Sequence, residues 1–383
     1  MTVLKNIAKD RILQITVIIT VVSLFFARPR FADINFHTLW SVAAMLTIIQ
    51  IYAYLHVLDV LAYKLTSIAD NTRKLNTLFS LLAVISGMFL GNDITALTLI
   101  PLYLNIAKRY KLPQILPVTL IGMGANIGAA FTPWGNPHNI FSVSRFDVSP
   151  LKFFEWSVPY LVVSMLIMGL VFLFIPKEEI PVQKAEPIKI SWRPTLITTA
   201  VFIFFFFGVF RTIDIIWQML TSVALALAIN PRIMLKIDYA LLLTFTGFFI
   251  FISDIQQIPL IVNLIHGTVY SEISTYFASI ISSQVMSNVP STILVGKFTT
   301  YAQALFLGSN IGGFGSAIGS MANMLVLKTF NQHGSVSKKK FFIQWTIMQF
   351  AGWIITINLQ NLIFFVKNAA LTFFFIAQEI RKR

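Results

Sequence analysis

Apolar residues in this chain come in long unbroken runs, separated by short basic segments or by clusters of Gly, Pro and Asn. Crossing about 30 Å of hydrocarbon takes about 20 helical residues, and several of the runs reach that length. They are continuous rather than alternating, which argues for helices against a transmembrane β-barrel. A first span runs from Ile12 to Ala27. Lys5, Lys9 and Arg11 precede it, Arg28-Pro29-Arg30 follow it, and no small-residue cleavage site appears, so it reads as a membrane helix rather than a signal peptide. A second span covers about His37 to Ile51 and continues into an interfacial amphipathic stretch to Thr66. Lys64, Arg73 and Lys74 then mark a cytoplasmic loop.

Between Leu75 and Ala107 the only formal charge is Asp93, within Gly91-Asn92-Asp93, and basic clusters flank both ends. Positive charge at both ends places both in the cytoplasm, so 75–107 reads as a re-entrant hairpin with Gly91-Asn92-Asp93 at its tip. The uncharged stretch 112–144 reads as a broken helix. Its centre carries Gly124-Ala125-Asn126-Ile127-Gly128 and then Thr132-Pro133-Trp134-Gly135-Asn136-Pro137. With a span at 153–175 this completes an N-terminal half, residues 1–175. Residues 176–194, with Lys177, Glu178, Glu179, Lys184, Glu186, Lys189 and Arg193, form a cytoplasmic linker.

The C-terminal half, 195–383, has spans near 195–210, 214–230 and 237–253 and an amphipathic piece near 255–268. A second hairpin at 270–297 centres on Ser287-Asn288-Val289-Pro290-Ser291. A broken helix at 298–327 centres on Gly308-Ser309-Asn310-Ile311-Gly312-Gly313, and a span follows at 341–364 before the tail Arg381-Lys382-Arg383. The two halves repeat. Asn126-Ile127-Gly128 matches Asn310-Ile311-Gly312 at an offset of 184 (310 less 126), as do Thr132 with Ser316, Gly135 with Gly319 and Asn139 with Asn323. The tips match at 196 (288 less 92), Asn92 with Asn288 and Thr95 with Ser291. Counting spans from a cytoplasmic N-terminus brings the second hairpin in from outside, so the repeats are inverted. The expected fold is all-α and polytopic, with nine to ten transmembrane helices, two re-entrant hairpins and two broken helices.

Composition agrees. Of 383 residues 56% are hydrophobic and 11% charged, and mean hydropathy is +0.77, which excludes a soluble enzyme and a single-span receptor. The net charge of +14 lies mostly in short loops, where topology and lipid headgroups account for it without nucleic acid. The chain has no cysteine, hence no disulfide, thiolate metal site or Cys nucleophile. No phosphate loop, zinc spacing or catalytic triad appears, so no enzyme and no resident cofactor are expected.

Half-helix N-termini bind anions, and carbonyl ends with Asn and Ser/Thr oxygens bind Na⁺ or hydroxyls. Asn92, Thr95, Asn126, Gly128, Thr132, Asn136, Ser287, Asn288, Ser291, Asn310, Gly312 and Ser316 therefore form the candidate substrate and ion site, with Na⁺ near Asn92, Asn126, Asn288 and Asn310. Asp93 is the candidate proton carrier, since an intramembrane carboxylate commonly marks an ion pathway. No Lys or Arg is expected at these centres, and Lys297 lies near the outer end. His138 is either a relay or a hydrogen-bonded buried histidine. Trp156, Trp192 and Trp345 fall near span ends, as an aromatic belt would.

Through Gly91 to Pro101, Asn126 to Asn139, Ser287 to Ser291 and Asn310 to Asn323, residues 35–365 resemble the ion transporter superfamily. The likeness is greatest to arsenical pump membrane proteins and citrate-transporter-like proteins. It implies substrate at the hairpin tips, a homodimer with elevator-type movement, and, for an arsenical pump, a cytoplasmic ATPase subunit. Dicarboxylate carriers of the superfamily commonly show Ser-Asn-Thr at both tips, whereas the Asn92-Asp93 tip resembles the arsenite efflux and Na⁺/H⁺ antiport branches. The expected function is secondary transport of a small anion or oxyacid, arsenite/antimonite or citrate/dicarboxylate, coupled to H⁺ or Na⁺. Na⁺/H⁺ antiport and a passive channel are the alternatives. The expected location is the plasma membrane, with the N-terminus in the cytoplasm.

Overall fold

The computed structural model describes residues 7–8, 10–180 and 191–358. Lys5, Lys9, the middle of the charged linker, the end of the 341–364 span and the basic tail lie outside the described residues. Among the described residues no strand forms, and one isolated bridge pairs Asn71 with Glu179.

The N-terminal half contains α1 (Arg11–Ser23), α2 (Phe36–Tyr54), α3 (Val57–Ile68), α4 (Thr72–Arg109), α5 (Ile115–Phe131), α6 (Pro137–Phe146) and α7 (Pro150–Leu173). The C-terminal half contains α8 (Trp192–Val209), α9 (Ile215–Ile229), α10 (Tyr239–Ile255), α11 (Pro259–Thr268), α12 (Glu272–Met286), α13 (Asn288–Phe298), α14 (Ala302–Gly312) and α15 (Met321–His333). Residues 338–358 form a last helix, α16. Short polar side chains start many of these helices by accepting from an orphan N–H, as Asp10 does from Leu13, Asn35 from Thr38, Asn71 from Lys74, Asp238 from Leu241 and Ser320 from Asn323.

Among the described residues four helices, α2, α4, α7 and α8, are by length and composition apolar enough to cross a membrane, and counting α10 with α11, bent by 105°, as one span gives five. The sequence pattern counts more spans because it also includes the shorter apolar helices Ile12–Ser23, Ile115–Phe131 and Ile215–Ile229.

Although α4 is continuous in hydrogen bonding, it folds back on itself at Gly91, where φ is 73° and ψ 165°. Phe79 and Tyr103 meet edge to face with ring centroids 5.5 Å apart, whereas a straight helix would separate them by about 36 Å. The second hairpin turns the same way. The hydroxyls of Thr275 and Thr299 are 2.9 Å apart across a turn at Ser287, where φ is 72° and ψ 153°. Thr275 and Thr299 are Phe79 and Tyr103 shifted by the tip offset of 196 (275 less 79).

The hairpin bases lie towards opposite ends of α2. Lys297, at the base of the second, donates to Asp33 O just before α2. The base of the first follows α3 from the Tyr54 end, and its Thr72 N–H donates to Glu178 O at 2.9 Å. At that Tyr54 end Asn230 Nδ2 also donates to the tyrosine hydroxyl. Helices α1 and α10 run parallel, with Thr20 bonded to Gly247 O and Ser23 to Asp254. Asp10 and Asp238, which cap their N-termini, therefore share one face, called here the N-terminal face.

Each half seats its hairpin against its own broken helix through glycine. A Cβ on Gly128 would lie 1.8 Å from Val84 O, and one on Gly312 2.6 Å from Ser283 Cβ. Both glycines serve backbone packing between hairpin and broken helix. Two tryptophans correct the belt reading. Trp156 and Trp345 are buried, the latter in a cluster with Val326 and Phe330, while Trp192 is exposed. Trp345 turns inward because α16 packs on α15, with Phe330 stacked on Phe341 at 3.5 Å.

Candidate functional site

The backbone region held by Gly91 and Ser287 is essentially restricted to glycine, because a Cβ collides with its own backbone there. Glycine meets this demand at the first tip. At the second a serine accepts strain of about 1–3 kcal/mol. Beyond each turn a new helical arm starts, at Asn92 and at Asn288, and its first N–H groups carry the positive end of the helix dipole.

The helix breaks lie next to the tips. Between α5 and α6, and again between α14 and α15, carbonyl groups lose their helical partners, and in a membrane these must be met from within the protein. Asn139 Nδ2 donates to Thr132 O at 2.9 Å, Ala129 O at 3.2 Å and Ala130 O at 3.4 Å. At the repeat offset of 184, Asn323 Nδ2 donates to Gly313 O at 2.9 Å and Ser316 O at 3.0 Å. Thr132 Oγ1 ties the first break to Met88 O of its hairpin, and Ser316 Oγ ties the second to Gln284 O.

The two breaks are joined crosswise. Asn310 Nδ2 of the C-terminal half donates to Asn139 Oδ1 at 3.0 Å, and Asn126 Nδ2 of the N-terminal half donates to Asn323 Oδ1 at 3.4 Å. Asn126 and Asn310 are repeat equivalents, as are Asn139 and Asn323, so the contact has the reciprocal form of a two-fold interface within one chain. Asn92 at the first tip joins through Asn126 Oδ1 at 2.8 Å. Asn136 and His138 both reach Asn310 Oδ1, at 3.4 and 3.1 Å, and His138 Nδ1 is buried without a partner. Gln349 of α16 donates to Asn323 Oδ1 at 3.5 Å.

Other sequence-predicted residues lie around this centre without joining it. Thr95 Oγ1 donates to Gly91 O one turn back at the tip, and Ser291 bonds Ser282 and Ser279 O across its hairpin, so both hydroxyls are used within their own hairpins. Ser287 and Asn288 are buried, and their side chains make no hydrogen bond among the described residues. The Asn288 amide N–H donates to Gly319 O at 3.0 Å. Asparagines 139 and 323 were legible as a matched pair but not as the groups that close the breaks and link the halves. Gln284 and Gln349 carry no sequence signal.

Asp93 turns away from the asparagines. It lines a cavity of about 760 Å³ that runs from Asp10 and the 231–238 segment at the N-terminal face to Asn92, Gly135, Pro137 and Met321. Its Oδ1 is buried without a hydrogen-bond partner, and the Asp238 carboxylate faces it closely enough to repel its charge. The expectation that no Lys or Arg approaches is corrected here: Arg232, Lys236 and Lys328 line the same cavity. They come from the turn after α9 and from α15, 139 or more residues from Asp93 (232 less 93), so no local pattern links them to it. Among the described residues no three His, Asp or Glu side chains group as metal ligands would.

The citrate transporter family model matches residues 7–302. This chain belongs to the citrate transporter family. Two relatives extend the likeness over most of the length. The inner membrane protein YbiR of Escherichia coli is 26% identical over 335 residues, 86% of this chain and 90% of that protein. The uncharacterized transporter MJ0456 of Methanocaldococcus jannaschii is 28% identical over 316 residues, 82% and 86% of the two chains. The crystal structure of the YdaH transporter of Alcanivorax borkumensis, described as having an unusual topology, superposes with a TM-score of 0.53 at 10% identity. It covers 86% of this chain and 87% of that one, and at that identity it speaks for the fold alone. The chain is thus a multi-pass membrane protein of the citrate transporter family.

Proposed function

We propose that this member of the citrate transporter family is a secondary active transporter that moves a small anion or oxyacid by alternating access. The observation that carries this reading is an asymmetry within a symmetric frame. The two tips and breaks correspond residue by residue, yet the cavity of about 760 Å³ reaches Gly91, Asn92 and Asp93 of the first tip from the N-terminal face and is lined by neither Ser287 nor Asn288 of the second. Exchanging the conformations of two inverted halves would turn the opening to the other face. The substrate is citrate or a related dicarboxylate, or arsenite/antimonite, and the coupling ion is H⁺ or Na⁺. Hydrogen-bonding capacity left at Asn92 Oδ1, Ser287 and Asn288 serves the substrate or Na⁺, and Asp93 carries the proton. A Na⁺/H⁺ antiporter is a second reading, favoured by the unpartnered Asp93 oxygen in the cavity.

Lys64, Arg73, Lys74, Lys108, Arg109 and Lys111 flank the first hairpin's base, which supports a cytoplasmic N-terminal face in the plasma membrane. A homodimer is the proposed assembly, and an ATPase subunit would join only an arsenite pump. Proteoliposomes tested with arsenite, citrate, succinate and Na⁺ under imposed pH and Na⁺ gradients decide the function. The expected result is gradient-driven flux of one anion or oxyacid, with Asp93→Asn losing its dependence on pH. Currents far above transporter turnover, independent of any gradient, would identify a channel. Full pH-driven transport by Asp93→Asn would remove the proton carrier.

A further inference from the structure

We infer that the cavity at the N-terminal face is an entry vestibule for a negatively charged substrate, recognised by Arg232, Lys236 and Lys328, and not for a neutral oxyacid. The inference rests on the transporter reading and narrows its substrate class. Three cations from two separate elements line one cavity whose inner end is the first hairpin tip and the first helix break. Among the described residues none of the three lies within 4.0 Å of a carboxylate, although Asp10, Asp93 and Asp238 line the same cavity. Asp238 lies near enough to both Asp93 and Asp10 for their charges to repel. Charge is therefore segregated within the cavity, and the cations keep their donors for a ligand.

The cationic side is also held in place. The short 3₁₀ turn Pro231–Lys236 is pinned by Asn230, whose Nδ2 donates to Tyr54 Oη and whose Oδ1 accepts from Arg232 N, both at 2.9 Å, with Ile233 buried beneath. On α15, Met321, Leu325 and Lys328 all face the cavity at i, i+4 and i+7, so one helix stripe leads from the cation to the inner end. There α6 begins at Pro137 with no side-chain cap from Asn136, and the second hairpin arm begins at Asn92. Both starts present the positive ends of helices. An anion entering past the cations thus meets two helix N-termini at the inner end, with the Asp93 carboxylate beside the Asn92 start.

The test uses the full chain in proteoliposomes, with Arg232→Gln, Lys236→Gln, Lys328→Gln, the triple variant, and Lys152→Gln as a control from a surface pair outside the cavity. Initial rates are measured against citrate and succinate at low and high ionic strength. A focused field raises local anion concentration and entry rate about ten-fold or more and is screened by salt. The triple variant should therefore raise KM about ten-fold at low salt with a much smaller change in kcat. Added salt should raise the wild-type KM and leave the triple variant's unchanged, and Lys152→Gln should track wild type. Vesicles of phosphatidylcholine alone and with phosphatidylglycerol separate a dissolved anion from a lipid headgroup, and the shift must persist without anionic lipid. An unchanged KM in the triple variant overturns the vestibule, as does flux confined to neutral arsenous acid or a shift confined to phosphatidylglycerol vesicles. Calorimetric citrate binding to the solubilised protein keeps the two readings apart. Salt-sensitive binding lost in the triple variant, without gradient-driven flux in wild type, upholds the anion site and refutes transport, whereas equal binding by both proteins refutes the site.

Discussion

Asn139→Ala removes the side chain that closes the first helix break. Asn139 is 0% exposed, so no solvent replaces what it donates. Of its three acceptors Thr132 O keeps the Gly135 N–H at 3.2 Å, so the variant leaves Ala129 O unmatched, while the 3.4 Å contact to Ala130 O adds little. An orphaned buried acceptor costs about 1–3 kcal/mol, so the loss should be about 1–3 kcal/mol. Asn310 loses one acceptor but keeps Phe306 O at 2.9 Å, which limits the damage to the first break. By the repeat, Asn323→Ala frees Gly313 O while Ser316 O keeps the Gly319 N–H at 3.1 Å, and it should cost about as much. Double-mutant cycles should assign less to the bonds across the halves, since single hydrogen bonds between membrane helices average about 0.6 kcal/mol and reach about 1.7. The 3.0 Å pair Asn310–Asn139 should couple more strongly than the 3.4 Å pair Asn126–Asn323. Reversible unfolding in mixed detergent micelles, titrated with dodecyl sulfate, measures all of these. If Asn139→Ala costs under about 1 kcal/mol, or Asn323→Ala behaves like a surface substitution, the breaks are not held open by these amides and the reciprocal cross is incidental.

Two further outcomes follow from the geometry. In this cysteine-free chain, Thr275→Cys with Thr299→Cys should cross-link under mild oxidation within one molecule, read as an electrophoretic shift reversed by reductant; absence of the shift would mean that 270–297 does not fold back. Burial raises the Asp238 carboxyl above the ordinary carboxylate range, with Asp10 adding and the Leu241 amide opposing. The folded chain then holds that proton more tightly than the unfolded one, so stability is fully present below about pH 4 and declines as pH rises through the folded value. Asp238→Asn keeps an oxygen able to cap α10 and cannot ionise, so its Tm should gain on wild type from about pH 4 to pH 7. A constant difference across that range would contradict the burial argument.

Much was legible in one dimension because a membrane imposes one-dimensional rules. Spans must be apolar over a set length, charge must collect in loops, and a break must carry Gly, Pro and Asn to satisfy its own backbone. From these alone come the all-helical architecture, the hairpin tips at Gly91 and Ser287, the breaks after Phe131 and Gly312, and the offsets of 184 and 196 that relate the halves. The partners of those residues follow no such rule. Asn126 meets Asn323 and Asn310 meets Asn139 only because two helix breaks, each braced by its own hairpin, pack against one another. Asn92 bonds Asn126 while Asp93, one residue on, turns into the cavity, because adjacent helical positions point about 100° apart. Arg232, Lys236 and Lys328 reach that same space from segments that read as ordinary loop and helix-end charge. Periodicity states which face of a helix is polar, and the packing of that face against distant elements decides what it touches.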